Sequence, residues 1–318
     1  MNKARKTLSA EQWGEILDQL SEAGTLWLLI TGGEPLLHPE FEKIYTDAVK
    51  KGFIINLFTN AALIKDKYIE RFKKYPPFSI EVTLYGNNEQ TYQTVTQTKN
   101  SYAKVIANCK RLLQEGLPLK LKTVAIKQTI HEVEDIKKFA EEEMGVDFKF
   151  DTKIDPTIYG ESMDHVRADL AEITALEERV AGREAIALDL QAFKEWSKST
   201  QKSAGTDGSL YTCGAGKNSY YIDYKGWLHT CSTGRLEEEA FDLTQSSFKE
   251  IWYKQIPGII YQSARDKNEV CRTCEYRTMC DACPATAKLA TGSKFGRPMY
   301  VCQQTMARKE RFLDSLQN

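Results

Sequence analysis

Apolar residues along the first 150 or so positions follow two alternating periods. From Ser9 to Gly24 they recur at helical spacing, with Trp13, Ile16, Leu17 and Leu20 on one face. Ser9 and Gln12 make a capping-box pair at the start and Gly24 supplies a stop, which predicts a helix over this stretch. The run Thr25 to Thr31 is nearly continuous in apolar residues, as expected of a strand buried on both faces, and it breaks off at Gly32-Gly33-Glu34-Pro35. Helical spacing returns at Phe41, Ile44, Tyr45, Ala48 and Val49. Strand-like runs follow at Phe53 to Thr59, Ser79 to Tyr85, Leu117 to Ile126 and Val146 to Lys153. Helical patterns over Leu63 to Tyr75, Asn100 to Gly116 and His131 to Met144 lie among them. Strands alternating with helices through short connections predict an α/β fold on a parallel sheet, open or curled into a barrel. In either form the ligand site lies at the C-terminal ends of the strands.

The rhythm then stops. Asp164 to Ser199 is polar and rich in Glu, Ala and Leu, which predicts one or two bridging helices. Lys198 to Gly208 is dominated by small polar residues and reads as a linker, placing a domain boundary near residue 204. The expected domains are therefore 1–203 and 204–318. Tyr220 to Cys231 reads as a β-hairpin turning at Lys225-Gly226.

Composition narrows the classes. The chain has 318 residues, 27% charged and 42% hydrophobic, with a net charge of −1. That length suits two domains, and that balance gives no reason to expect nucleic acid or a membrane surface as partner. No apolar run is long enough to span a bilayer, and the stretch Met1 to Trp13 has no apolar signal core, so a cytoplasmic protein is expected. In that setting eight cysteines favour metal or redox chemistry over disulfides.

Seven of the eight fall in the C-terminal part: Cys213, Cys231, then the block Cys271, Cys274, Cys280 and Cys283, then Cys302. The block reads C-x2-C-x5-C-x2-C, a spacing that suits tetrahedral zinc or an iron–sulfur cluster equally well. One zinc leaves three of these thiols without a role. A redox cluster with one iron unligated by protein is chemically useful, whereas a structural zinc with an open position is not.

These residues carry a family resemblance. Cys213-x12-Gly226-x4-Cys231, the C-x2-C-x5-C-x2-C block and Cys302 together resemble the SPASM domain of radical S-adenosylmethionine (AdoMet) enzymes. Gly32 to Pro35 after an apolar strand resembles the AdoMet-binding turn of the same superfamily. The last gap in the block is x2 where the family more often has x3. The resemblance implies a partial (β/α)6 TIM-like barrel, here without its first strand, followed by a small cysteine-rich SPASM domain with a β-hairpin. It implies two auxiliary [4Fe–4S] clusters, one held by Cys213, Cys231 and Cys283 with an open iron, the other by Cys271, Cys274, Cys280 and Cys302. Gly32, Gly33, Glu34 and Pro35 would bind AdoMet, with Thr83 offering a hydroxyl beside it and Lys122-Thr123 a weaker candidate on the next strand. The implied activity is modification of a peptide or protein side chain by an AdoMet-derived radical that abstracts hydrogen, as in maturation of ribosomally made peptides. The implied partners are that substrate and an electron donor such as flavodoxin or ferredoxin.

The resemblance also implies a C-x3-C-x2-C loop holding a third [4Fe–4S] cluster, and this sequence contains none. The first cysteine is Cys109, which shares a helical face with Val105, Ile106, Leu112 and Leu113 and reads as a core thiol. No residue is therefore assigned as catalytic. The expectation is a truncated form of a longer enzyme, with AdoMet and the third cluster belonging to the full-length protein. A non-catalytic iron–sulfur electron-transfer module and a zinc-stabilised interaction protein are the alternatives. The four histidines form no zinc-protease pattern. His38 is expected to border the next helix and His229 to lie on the surface of the hairpin.

Overall fold

Ser9 and Gln12 cap the first helix, α1 (Ala10–Glu22), reciprocally: Ser9 Oγ accepts from the Gln12 amide at 3.2 Å and Gln12 Oε1 from the Ser9 amide at 3.0 Å. The computed structural model describes residues 7–182, 186, 192, 210–211, 213–235, 239–261, 271, 274, 276 and 280–313. After α1 come β1 (Trp27–Ile30), α2 (Phe41–Lys50), β2 (Ile54–Thr59), α3 (Asp66–Lys74) and β3 (Ser79–Thr83). Two helices follow, α4 (Glu89–Thr96) and α5 (Tyr102–Gln114), then β4 (Leu119–Val124), α6 (Val133–Lys138) and β5 (Phe148–Asp151). The five strands lie in sequence order and pair in parallel throughout. The α/β reading holds.

Alternation along the strands separates two faces. Ile55, Leu57, Ile80, Val82, Leu119 and Leu121 are buried, as are Phe41, Tyr45, Tyr68 and Phe72 of α2 and α3, whose rings contact one another. The intervening positions carry Asn56, Phe58, Glu81, Lys122 and Lys149. Burial on both faces, expected of the first strand, is not observed: Trp27 and Leu29 are each 48% exposed. Among the described residues β1 is the edge strand of the sheet, and its alternate side chains stay half exposed. Helix α4 was not legible beforehand because its sequence, Glu-Gln-Thr-Tyr-Gln-Thr-Val-Thr, buries Tyr92 alone. Its start is fixed by Asn88, whose Oδ1 accepts from the Thr91 amide at 3.0 Å.

Past the sheet, α7 (Leu170–Ala181) forms within the expected bridging segment, started by an Asp169/Glu172 capping box. Arg308 and Arg311, at the C-terminal end of the helix Met299–Arg308 and just beyond it, pair with Glu177 and Glu178 of α7. The linker expected at 198–208, and with it the boundary near 204, lies outside the described residues. The chain forms two compact units. One comprises 1–151, 222–227 and 242–249; the other comprises 152–221, 228–241 and 250–318.

The hairpin is present as β6 (Tyr221–Ile222) and β7 (Trp227–His229), extended by β8 (Phe241–Asp242) into a three-stranded sheet. Asp223 Oδ1 accepts from the amides of Lys225 and Trp227, which closes the turn. Gly226 has φ +82°, and a Cβ there would sit 2.8 Å from Leu8 Cδ1, so both conformation and space demand glycine. His229 departs from expectation. It is 4% exposed rather than on the surface, and its ring lies against that of Tyr221.

Candidate functional site

The parallel strands bring their C-terminal ends to one side, where the first unit gathers its candidate residues. Gly32 has φ +141°, a conformation L side chains avoid, so the turn after β1 depends on glycine there. Pro35 begins a short 3-10 turn, Pro35–Leu37, and Glu34 caps it by accepting from the Leu36 amide at 3.1 Å. The same carboxylate accepts from Thr59 Oγ1 at 2.8 and 3.0 Å and from the Asn60 amide at 2.7 Å. An ionised carboxylate has about four acceptor positions, so the chain itself occupies most of them. Glu34 thus ties the Gly-Gly-Glu-Pro turn to the end of β2 and is less open to a ligand ammonium than the sequence suggests. Thr59 and Asn60 were missed in the sequence. Their signal is a Thr-Asn pair at a strand end, the same place as Gly32 and Thr83.

Thr83 closes β3 and hydrogen-bonds the half-buried Tyr85. Burial chiefly, then the charge of Glu34, pushes the Tyr85 phenol up, while Thr83 acts the other way. The loop that follows is anchored by buried Glu132, which accepts from the Asn87 amide at 2.7 Å, from Asn88 Nδ2 at 3.0 Å and from Thr91 Oγ1.

On the face of the sheet opposite the buried row, Glu81 pairs with Lys149 at 2.5 Å and with Lys122 at 3.4 Å. The Lys122 ammonium also lies 2.9 Å from the centroid of the Phe58 ring. Burial lowers the Lys122 pKa to about 8, helped by the charge of Lys149 and opposed by Glu81. Thr123 is turned the other way, its hydroxyl donating to Leu84 O at 2.6 Å.

The C-terminal thiols all belong to the second unit. Cys213, Cys231 and Cys283 lie within electrostatic reach of one another. Burial pushes the Cys231 thiol up, backbone donors at Gly234 and Thr233 pull it down, and Cys283 and Cys213 raise it again. Cys213 accepts from the Ala215 amide at 3.5 Å, Cys231 from Gly234 at 3.0 Å and Cys283 from Thr286 at 3.4 Å. Cys283 is also the N-cap of the helix Pro284–Thr291. Behind it, Thr286 donates to Asp155 Oδ1 at 3.2 Å, and Tyr300 donates to the same oxygen at 2.5 Å.

Cys271, Cys274, Cys280 and Cys302 form the other group: burial raises the Cys271 thiol most, Arg297 lowers it, and Cys280, Cys302 and Cys274 raise it. Arg297 Nη2 donates to Cys302 Sγ at 2.8 Å. Among the described residues no three His, Cys, Asp or Glu side chains are drawn in tightly enough to hold one metal ion. Thiolates are the ligands that an iron–sulfur cluster takes, and the donor set here fits that chemistry: Cys231, Cys283 and Cys302 each accept an N–H bond. Cys109 stands apart in the first unit, fully buried on α5, and burial pushes its thiol up to about 12.

The sequence profile of the Radical SAM superfamily matches residues 1–140. The AdoMet-dependent heme synthase of Methanosarcina barkeri is 24% identical over 301 residues, covering 90% of this chain and 84% of that protein. The PqqA peptide cyclase of Bradyrhizobium diazoefficiens is 21% identical over 292 residues, covering 87% of this chain and 73% of that protein. In fold, the chain resembles Streptococcus suis SuiB solved with the precursor peptide SuiA. The TM-score is 0.74 at 20% identity, with 95% of this chain and 71% of SuiB covered. Among the described residues no helix is long and apolar enough to cross a membrane.

Proposed function

We propose that this chain, whose residues 1–140 match the Radical SAM superfamily profile, belongs with that superfamily through a SPASM-type C-terminal region and serves an enzyme that modifies a peptide or protein side chain. The observation that carries this reading is the sorting of seven thiols into a set of three and a set of four. The set of three, Cys213, Cys231 and Cys283, would hold one auxiliary [4Fe–4S] cluster with an iron open to substrate. The set of four, Cys271, Cys274, Cys280 and Cys302, would hold a second, closed cluster. Bound AdoMet, given one electron, would supply the hydrogen-abstracting species, and clusters held by the two cysteine sets would offer a place for the surplus electron.

The residues of this chain do the positioning. Gly32 and Gly33 let the backbone approach AdoMet, and Glu34 holds that turn against Thr59 and Asn60. Thr83 offers its hydroxyl at the next strand end. The amides of Ala215, Gly234 and Thr286 offset negative charge on the thiolates of the first set. An electron donor such as flavodoxin or ferredoxin completes the scheme, as does a C-x3-C-x2-C loop for the third cluster, which these residues do not contain.

The peptide reading is supported by the PqqA peptide cyclase relationship and by a fold shared with a peptide-bound protein. A second reading, a haem-related substrate, draws on the heme synthase relationship. To separate them, a protein that joins this chain to a C-x3-C-x2-C loop is co-expressed anaerobically with candidate short peptides and, in parallel, supplied with a porphyrin precursor. The proposal expects the peptide to lose a pair of hydrogens by mass spectrometry. An unmodified peptide together with a converted porphyrin contradicts it.

A further inference from the structure

The two thiol sets differ in the kind of donor they receive. The hydrogen bonds described for Cys213, Cys231 and Cys283 come from neutral backbone amides, with the Thr286 hydroxyl also beside Cys283. Cys302, in the set of four, receives a full positive charge: the Arg297 guanidinium donates to its sulfur at 2.8 Å. The same guanidinium acts electrostatically on Cys271 and Cys274, so one cation serves three of the four thiols. Arg297 is exposed, and the four residues between it and Cys302 include Pro298, which ends its loop and starts the helix Met299–Arg308. That short tether keeps the fork on the sulfur without burying it.

We infer that Arg297 is a positioning residue that raises the reduction potential of the cluster held by Cys271, Cys274, Cys280 and Cys302, making it the electron-accepting member of the pair. The inference rests on the two-cluster reading given above. A four-iron cluster with four thiolate ligands becomes more negative by one charge on taking up an electron. No bond forms or breaks in that step. A fixed cation at hydrogen-bond distance from one sulfur stabilises the more negative form, and an N–H···S bond that withdraws electron density from sulfur acts in the same sense. Guanidinium suits the task because it stays protonated at every working pH and keeps its donors in a fixed fork. The set of three lacks such a charge in its described hydrogen bonds, so electrons drawn from a substrate at its open iron have a downhill destination in the set of four.

The test is a redox titration of the reconstituted 318-residue chain, followed by electron paramagnetic resonance with dithionite as reductant. A Cys213→Ala background simplifies the spectrum to the four-cysteine cluster. Arg297→Met is expected to shift its midpoint to lower potential, Arg297→Lys by less, and Lys43→Met, which removes an equal charge from the first unit, not at all. Iron and sulfide content is measured in each variant. Clusters retained with an unmoved midpoint in Arg297→Met overturn this inference alone. If Arg297→Met fails to hold its cluster, Arg297→Lys decides: a lowered midpoint supports the inference and an unchanged one overturns it. Wild-type protein carrying no sulfide overturns the two-cluster reading, and this inference with it.

Discussion

Glu34 and Thr59 are joined through both carboxylate oxygens, at 2.8 and 3.0 Å, across the gap between the ends of the first two strands. This contact, with the Asn60 amide at 2.7 Å, makes the Gly-Gly-Glu-Pro turn and the end of β2 one rigid element. Replacing Glu34 by Ala strands a hydroxyl and two amides at a cost of about 1–3 kcal/mol for each donor left unsatisfied. The melting temperature, read by thermal unfolding, is expected to fall by several degrees, since about 1 kcal/mol shifts it by roughly 2–8 °C. Glu34→Gln keeps acceptor capacity at one oxygen and should lose less. Equal melting temperatures for Glu34→Ala and wild type refute the positioning role.

Lys122 makes stability depend on pH in a predictable direction. Its pKa is held at about 8 in the folded chain against an ordinary 10.5. Between those values the unfolded chain keeps a proton that the folded chain has released, so stability rises with pH through that window. Below it both states are charged and the cost of burying the ammonium is present in full. Lys122→Met, which leaves Lys149 to pair with Glu81, should remove that rise. The difference between the two proteins in urea unfolding should change on the order of 3 kcal/mol across the window, at about 1.4 kcal/mol per pKa unit. Parallel curves for wild type and variant contradict the assignment.

Cys109 is expected to play no part in cluster chemistry. With its thiol pushed up to about 12 by burial, it should stay unalkylated by iodoacetamide at neutral pH in the folded chain. The seven C-terminal cysteines should react once clusters are removed. Cys109→Ala should leave iron content unchanged, and a loss of iron would show that the thiol had been misassigned.

Because the sequence holds no C-x3-C-x2-C, the 318-residue chain alone should not cleave AdoMet. Incubated anaerobically with dithionite after reconstitution, it should form no 5′-deoxyadenosine above the enzyme-free background. Formation of that product would mean that one of the C-terminal thiol sets can reduce AdoMet.

The α/β rhythm was legible because apolar periodicity changes sharply between strands such as Ile54–Thr59 and helices such as Phe41–Lys50. Helix α4 was not, because a helix that buries only Tyr92 has almost no apolar stripe to read. The grouping of the cysteines is what the resemblance implies, since spacing alone suits zinc and an iron–sulfur cluster equally. Arg297 was not legible, since one arginine in a polar loop is unremarkable until the fold sets it 2.8 Å from a sulfur. His229 misled for the opposite reason: a polar residue in a short hairpin suggests the surface, and the fold buries it against Tyr221. The role of Glu34 changed as well, because Thr59 and Asn60 come from another strand and only the parallel register brings them to it.

The central claim is that the seven C-terminal cysteines hold two [4Fe–4S] clusters. Iron, acid-labile sulfide and zinc measured on anaerobically purified chain test it most directly. The account predicts about eight iron and eight sulfide per chain, as two four-iron clusters require, with little zinc. Stoichiometric zinc without sulfide would contradict it.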